Sequence, residues 1–195
     1  MQVQLEAWRE ARRSGTRRIG WKVAAPDERL FSRGLLSAYV SSDTVVGAGG
    51  TYGVGADVAL HAQATLALQV GAHEQITGYA AALELVELGD QPGTRRGMLP
   101  ADLGDRAITF GPRRPRLSAV DGRLLVNGHV RGGAFLEGGY AELLTRLPEV
   151  LSAKGESLLR GDRVITGPIA RVPVWPGDHV VADLGPLGNA SLVIA

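Results

Sequence analysis

The sequence predicts an α+β fold that is mostly β, with mixed sheets and one or two packed helices. Three observations predict it. The 195 residues include 27 glycines and 10 prolines, scattered between short apolar runs in the manner of many short strands joined by turns. The stretch from Val58 to Val70 alternates with a period of two. A single clear amphipathic helix stands at Tyr140 to Lys154.

Taken in order, Gln2 to Ser14 reads as a short helix with Val3, Leu5, Trp8 and Ala11 on its apolar side and Ser14-Gly15 as its stop. Ile19 to Ala24 reads as a buried strand ended by Pro26-Asp27, and Leu35 to Val40 and Thr44 to Val46 as short strands. Gly47 to Gly55 is a glycine-rich turn region. In the strand that follows, Val58, Leu60, Ala62, Ala64, Leu66 and Leu68 share one face, so His61, Gln63 and Thr65 point together from the other. Ile76 to Leu88 is alanine-rich and reads as helix passing into strand, with Glu84 inside it. Arg95 to Asp105 reads as a loop. Ala107 to Phe110, Arg116 to Val120 and Arg123 to Val126 read as strands, with Asp121-Gly122 and Asn127-Gly128 as turns of a hairpin region. The helix at Tyr140 to Lys154 carries Leu143, Leu144, Leu147, Val150 and Leu151 on its apolar face and is followed by Gly155. Arg163 to Thr166, His179 to Leu184 and Ala190 to Ile194 close the chain as strands. With no internal repeat and no linker, residues 1–195 read as a single domain.

Composition narrows the function. A net charge of +1 gives no footing for a nucleic-acid or membrane-surface partner. The arginines at 9, 12, 13, 17 and 18 fit a solvated helix face. The absence of cysteine removes disulfides, thiolate metal sites and cysteine nucleophiles. No secretory signal and no apolar run long enough to span a bilayer are visible, so a cytoplasmic location is expected.

Several stretches, in order, carry a resemblance: Ile19-Gly20-Trp21-Lys22-Val23; Asp121-Gly122 through Asn127-Gly128; Gly155 through Gly167; Pro173-Val174-Trp175-Pro176-Gly177-Asp178-His179-Val180; and Leu187-Gly188-Asn189-Ala190-Ser191. Their order and spacing resemble the 2-keto-4-pentenoate hydratase branch of the fumarylacetoacetate hydrolase superfamily. The resemblance implies that superfamily's mixed β-sheet roll, a homo-oligomer, and a small-molecule substrate that is a 2-oxo acid or enol. It also implies a divalent cation, magnesium or manganese, that chelates the substrate and stabilises an enolate. The family's ligands are a Glu-x-Glu on one strand face and a third Glu in a later Leu-Glu.

Here the Glu-x-Glu positions hold His61 and Gln63, and the third keeps its acid as Glu84. Three candidate metal ligands, His61, Gln63 and Glu84, are therefore expected to hold a softer metal such as zinc, iron or manganese, or none, because a hard ion such as magnesium favours anionic oxygen. Lys22 is one of two lysines among 21 basic residues, the other being Lys154. Flanked by Trp21 and Val23, it needs a partner if buried, and an ion pair with Glu84 satisfies both. In the family this lysine lines the active site. Asp102, in Ala101-Asp102-Leu103, resembles the Ala-Asp-Asn segment that enters that site. The catalytic candidates are Lys22, His61 and Asp102, each set against a bland alternative: a surface strand lysine, a satisfied core histidine, a loop aspartate. The expected activity is a hydratase- or lyase-like reaction on a 2-oxo acid through an enolate. The alternatives are a metal-independent lyase or cyclase recruited to secondary metabolism, and a non-catalytic paralogue.

Overall fold

The computed structural model describes residues 9–24, 36–55, 58–87, 105–117, 119–136 and 140–195. Among these, twelve strands form two sheets. The strands are β1 (Arg18–Ala24), β2 (Leu36–Ser41), β3 (Thr51–Tyr52), β4 (Leu60–Val70), β5 (Ile76–Glu87), β6 (Asp105–Phe110), β7 (Val120–Val126), β8 (His129–Leu136), β9 (Arg163–Ile165), β10 (Ala170–Val174), β11 (His179–Asp183) and β12 (Asn189–Ile194). The first sheet has the order β2-β1-β9-β4-β5-β6, with β10 also paired to β4. The second has the order β3-β12-β11-β7-β8.

β4 is the axis of the larger sheet. Its whole length pairs antiparallel with β5. On its other edge Leu60 to Ala64 pair with β10 and Ala67 to Gln69 with β9. The alternation read in the sequence sorts its two faces. Leu60, Ala62, Ala64, Leu66, Leu68 and Val70 pack into one core with Leu124, Val126, Val180, Ala182, Leu192 and Ile194 of the second sheet. A one-residue slip of register would put His61, Gln63 and Thr65 into that core, so the register is strongly specified. The long helix, Tyr140–Ser152, buries Leu147 and Leu151 in the same core. It stops two residues before Lys154. There the Glu156 amide donates to the Leu151 carbonyl at 2.9 Å, and Gly155 takes a φ of +71° that its missing Cβ permits.

Several elements differ from the sequence reading. Ile76 to Glu87 is strand throughout, because its ladder to β4 overrides the helix propensity of the alanines. Asp121-Gly122 is no turn. It lies within β7 opposite Phe135 and Ala134, and a Cβ at Gly122 would stand 2.7 Å from Ile169 Cγ2. That glycine serves close packing. Asn127-Gly128 is the turn, with φ of 53° and 80° suited to a two-residue hairpin. Ser42–Thr44 is a 3₁₀ turn and Val45 makes a single bridge to Ile108, where a strand was expected at Thr44 to Val46. Residues 9–13 are helical, while the start of the expected N-terminal helix and nearly all of the Arg95 to Asp105 loop fall outside the described residues. No helix among the described residues is long and apolar enough to cross a membrane.

Candidate functional site

The face of the larger sheet turned away from the inter-sheet core carries the polar residues. Strand register places them. Lys22 of β1 is level with Ile165 of β9, which is level with Ala67 of β4 and, beyond it, Ala80 of β5. Four positions along β5, Glu84 lies opposite Gln63 on one side and Ile108 on the other. Gln63 in turn lies opposite Arg171 of β10. By strand alternation Lys22, His61, Gln63, Glu84 and Arg171 all project from one face. That face is not bare. Val40, Ile108 and Ile165 form a small buried cluster on it, with Ile19 and Phe110 packed alongside.

Lys22 and Glu84 meet in an ion pair, Nζ to Oε2 at 2.9 Å. Lys22 is 4% exposed and Glu84 not at all. Gln63 is buried beside them and its amide bridges two charges. With its nitrogen toward Glu84, the orientation that satisfies both ends of the amide, it donates to Glu84 Oε2 at 3.1 Å. Its oxygen then accepts from Arg171 Nε at 2.7 Å and Nη2 at 2.8 Å. The result is a chain of alternating donors and acceptors: Lys22, Glu84, Gln63, Arg171. Two buried atoms at its edge have no hydrogen-bond partner among the described residues, Glu84 Oε1 and His61 Nδ1.

Electrostatics follow from this layout. Burial raises the Glu84 carboxyl above the usual glutamate range, and the nearby Lys22 and Arg171 cations only partly oppose that. Burial also lowers His61, and the Arg171 charge lowers it further, so the imidazole favours its neutral form. Arg171 itself is exposed.

Four of the residues singled out in the sequence, Lys22, His61, Gln63 and Glu84, thus share one face, and three of them are in direct contact. Asp102 lies outside the described residues. Arg171 was missed. The signal was present in Ala170-Arg171-Val172-Pro173-Val174, whose alternation buries Val172 and Val174 in the core and puts Arg171 on the site face. Nothing in the sequence alone, however, pairs that strand with Gln63.

The residues do not fit a hard divalent ion. Among the described contacts of the site one carboxylate is present, and its Oε2 already receives an ammonium and an amide. The Gln63 oxygen receives a guanidinium. His61 is left with Glu84 Oε1 as the donors not yet engaged, and Lys22 and Arg171 set two positive charges around them. No group of three His, Asp or Glu residues converges on a common point among the described residues.

No family model and no curated protein matches this sequence. Solved structures do. 4-Oxalocrotonate decarboxylase from Pseudomonas putida G7, complexed with magnesium and adipate, superposes with a TM-score of 0.86 at 18% identity, over 99% of this chain and 84% of that one. Fumarylpyruvate hydrolase from Pseudomonas aeruginosa, complexed with Mn2+ and pyruvate, gives 0.72 at 20% identity over 92% and 89%. 2-Hydroxyhepta-2,4-diene-1,7-dioate isomerase from Mycobacterium marinum gives 0.69 at 19% identity over 91% and 75%. The chain has the fold of the fumarylacetoacetate hydrolase superfamily that these enzymes share.

Proposed function

We propose that the protein is an enzyme that moves a proton on a small 2-oxo acid or its enol, passing through an enolate in a hydratase- or lyase-like reaction. The observation that carries this reading is the buried Lys22–Glu84 pair, whose Glu84 Oε1 has no hydrogen-bond partner among the described residues. Burial holds the Glu84 carboxyl above the usual glutamate range, which strengthens its carboxylate as a base toward a carbon acid. Glu84 exchanges the proton at the carbon next to the carbonyl. Lys22, one bond from that carboxyl, stabilises the negative charge that collects on the enolate oxygen. Gln63 fixes the Glu84 carboxylate in place. His61, neutral and at the rim, is the second acid–base group, and Asp102 remains a candidate for the same role. The decarboxylase, hydrolase and isomerase activities of proteins with this fold are compatible with such an enolate.

The test is proton exchange in D2O at carbon 3 of 2-oxobutanoate, followed by NMR, together with the loss of the dienol absorbance of 2-hydroxypenta-2,4-dienoate. Exchange well above background in the wild type, lost in Glu84→Gln, supports the reading. Equal background exchange in both proteins overturns it. The second reading, a non-catalytic binding protein, rests on the replacement of two carboxylates by His61 and Gln63, and that same null result supports it. A homo-oligomer belongs to the proposal as well and is checked by analytical ultracentrifugation.

A further inference from the structure

Resting on the reading above, we infer that the site recognises the carboxylate of its substrate through Arg171, in place of a divalent ion. The charge layout supports this. In the chain of contacts itself two cations, Lys22 and Arg171, stand against one carboxylate, Glu84, and a third cation, Arg163, projects from the same face further along β9. Such a set repels a cation and attracts an anion.

The second support is the way Gln63 is used. Its oxygen occupies one edge of the Arg171 guanidinium, the edge made by Nε and Nη2. The end edge, Nη1 with the remaining Nη2 proton, has no acceptor among the described residues. Two parallel N–H groups on a planar edge match a carboxylate bidentately, which a point-charge ammonium cannot do. Gln63 pins the guanidinium so that this edge is held ready rather than searching rotamers, and the exposure of Arg171 leaves it open to an incoming anion.

The third support is the choice of an amide at position 63. A glutamate there would set its own charge 3.1 Å from Glu84 Oε2, where the Gln63 nitrogen now donates. The amide alone satisfies a carboxylate on one side and a guanidinium on the other. Position 63 therefore belongs to a chain of side-chain contacts within the fold that ends in Arg171.

The experiment is calorimetric titration of oxalate, a planar stand-in for a 2-oxo acid enolate, into the full chain in EDTA and then in millimolar magnesium or manganese. The wild type is expected to bind in EDTA, and its affinity for free oxalate, after subtracting the oxalate that the metal itself chelates, is expected to be unchanged by metal. Arg171→Gln, checked for an unaltered thermal melt, is expected to weaken binding at least about tenfold, the loss of one charge-assisted bidentate contact. Arg171→Lys is expected to recover only part of it. Binding that appears only with metal, no binding under either condition, or equal binding by Arg171→Gln overturns the inference. The outcome is separable from that of the proposed activity. Oxalate binding lost in Arg171→Gln, without proton exchange by the wild type, leaves the inference standing and refutes the activity. Glu84-dependent exchange with oxalate binding indifferent to Arg171 does the reverse.

Discussion

Replacing Lys22 by methionine leaves Glu84, wholly buried, without its ammonium. Breaking a buried pair by removing one partner costs about 3–5 kcal/mol, because the remaining charge has lost its compensation. Gln63 and the more distant Arg171 stay in place, so the lower end, about 3 kcal/mol at neutral pH, is expected. The cost depends on pH in a definite direction. Burial already raises the Glu84 pKa in the folded state, and losing Lys22 raises it further. A folded pKa above the unfolded value of about 4.3 means that the folded state binds the extra proton. The deficit against wild type is therefore smallest at low pH, where Glu84 is protonated in both folded proteins. It grows by up to about 1.4 kcal/mol per pH unit once pH passes the folded pKa of the wild type, itself above the unfolded value, and until it reaches that of the variant. Urea unfolding of wild type and Lys22→Met at several pH values measures this directly. The double variant Lys22→Met, Glu84→Met removes both charges and is expected within about 1 kcal/mol of wild type, since apolar replacement of a buried pair is often neutral. A single-variant cost below about 1 kcal/mol that does not change with pH, or a double variant as unstable as the single one, would refute the reasoning.

The remaining predictions concern how the site is held and charged. Gly20→Ala places a Cβ 1.8 Å from the Arg163 carbonyl oxygen across the β1–β9 ladder; separating those strands is expected to cost about 3 kcal/mol by urea unfolding and to displace Lys22. Asp162→Ala removes the carboxylate that receives Arg18 Nε at 3.1 Å and Nη2 at 2.6 Å and the Leu159 amide at 2.8 Å. A loss of about 3 kcal/mol is expected in the same assay. An NMR titration of His61 is expected to give a midpoint below the ordinary histidine value of about 6.5, moving up in Arg171→Gln. Because the unfolded state takes up that proton first, the stability His61 contributes is present above this ordinary value and declines as pH falls toward the folded midpoint. Restoring acids with His61→Glu, Gln63→Glu is expected to create a manganese-dependent rise in Tm that the wild type lacks.

Much of this was legible in the sequence for identifiable reasons. The two faces of β4 were readable because a period of two survives in any strand, buried on both sides or not. Lys22 and Glu84 were readable as partners because each is a charge in an apolar run, and burial demands compensation. The Gly20-Trp21-Lys22-Val23 signature has a concrete physical content: glycine for the approach of Arg163, tryptophan and valine for the inter-sheet core, lysine for the opposite face. What escaped the reading depended on contacts distant in sequence. Ile76 to Glu87 became strand because β4 lies beside it, and Asp121-Gly122 became strand because Phe135 and Ala134 of β8 pair with it. Arg171 was invisible as a site residue for the same reason, since its position opposite Gln63 is set by the pairing of β10 with β4.

That pairing also accounts for the neutral residues at positions 61 and 63. A sheet face that keeps a buried lysine must keep an anion for it, which accounts for Glu84. With Glu84 committed to Lys22, an acid at position 63 would add an uncompensated negative charge beside it, whereas glutamine closes the network and carries it outward to a second cation. His61, lying opposite Pro173 rather than a charged residue, is then held toward its neutral form by burial and, beyond that, by the Arg171 charge. His61 and Gln63 are consistent with one another once the positive charge of this face comes from side chains. The enolate of the proposed reaction demands a cationic environment for its developing oxyanion, and Lys22 and Arg171 are the cations placed to supply it.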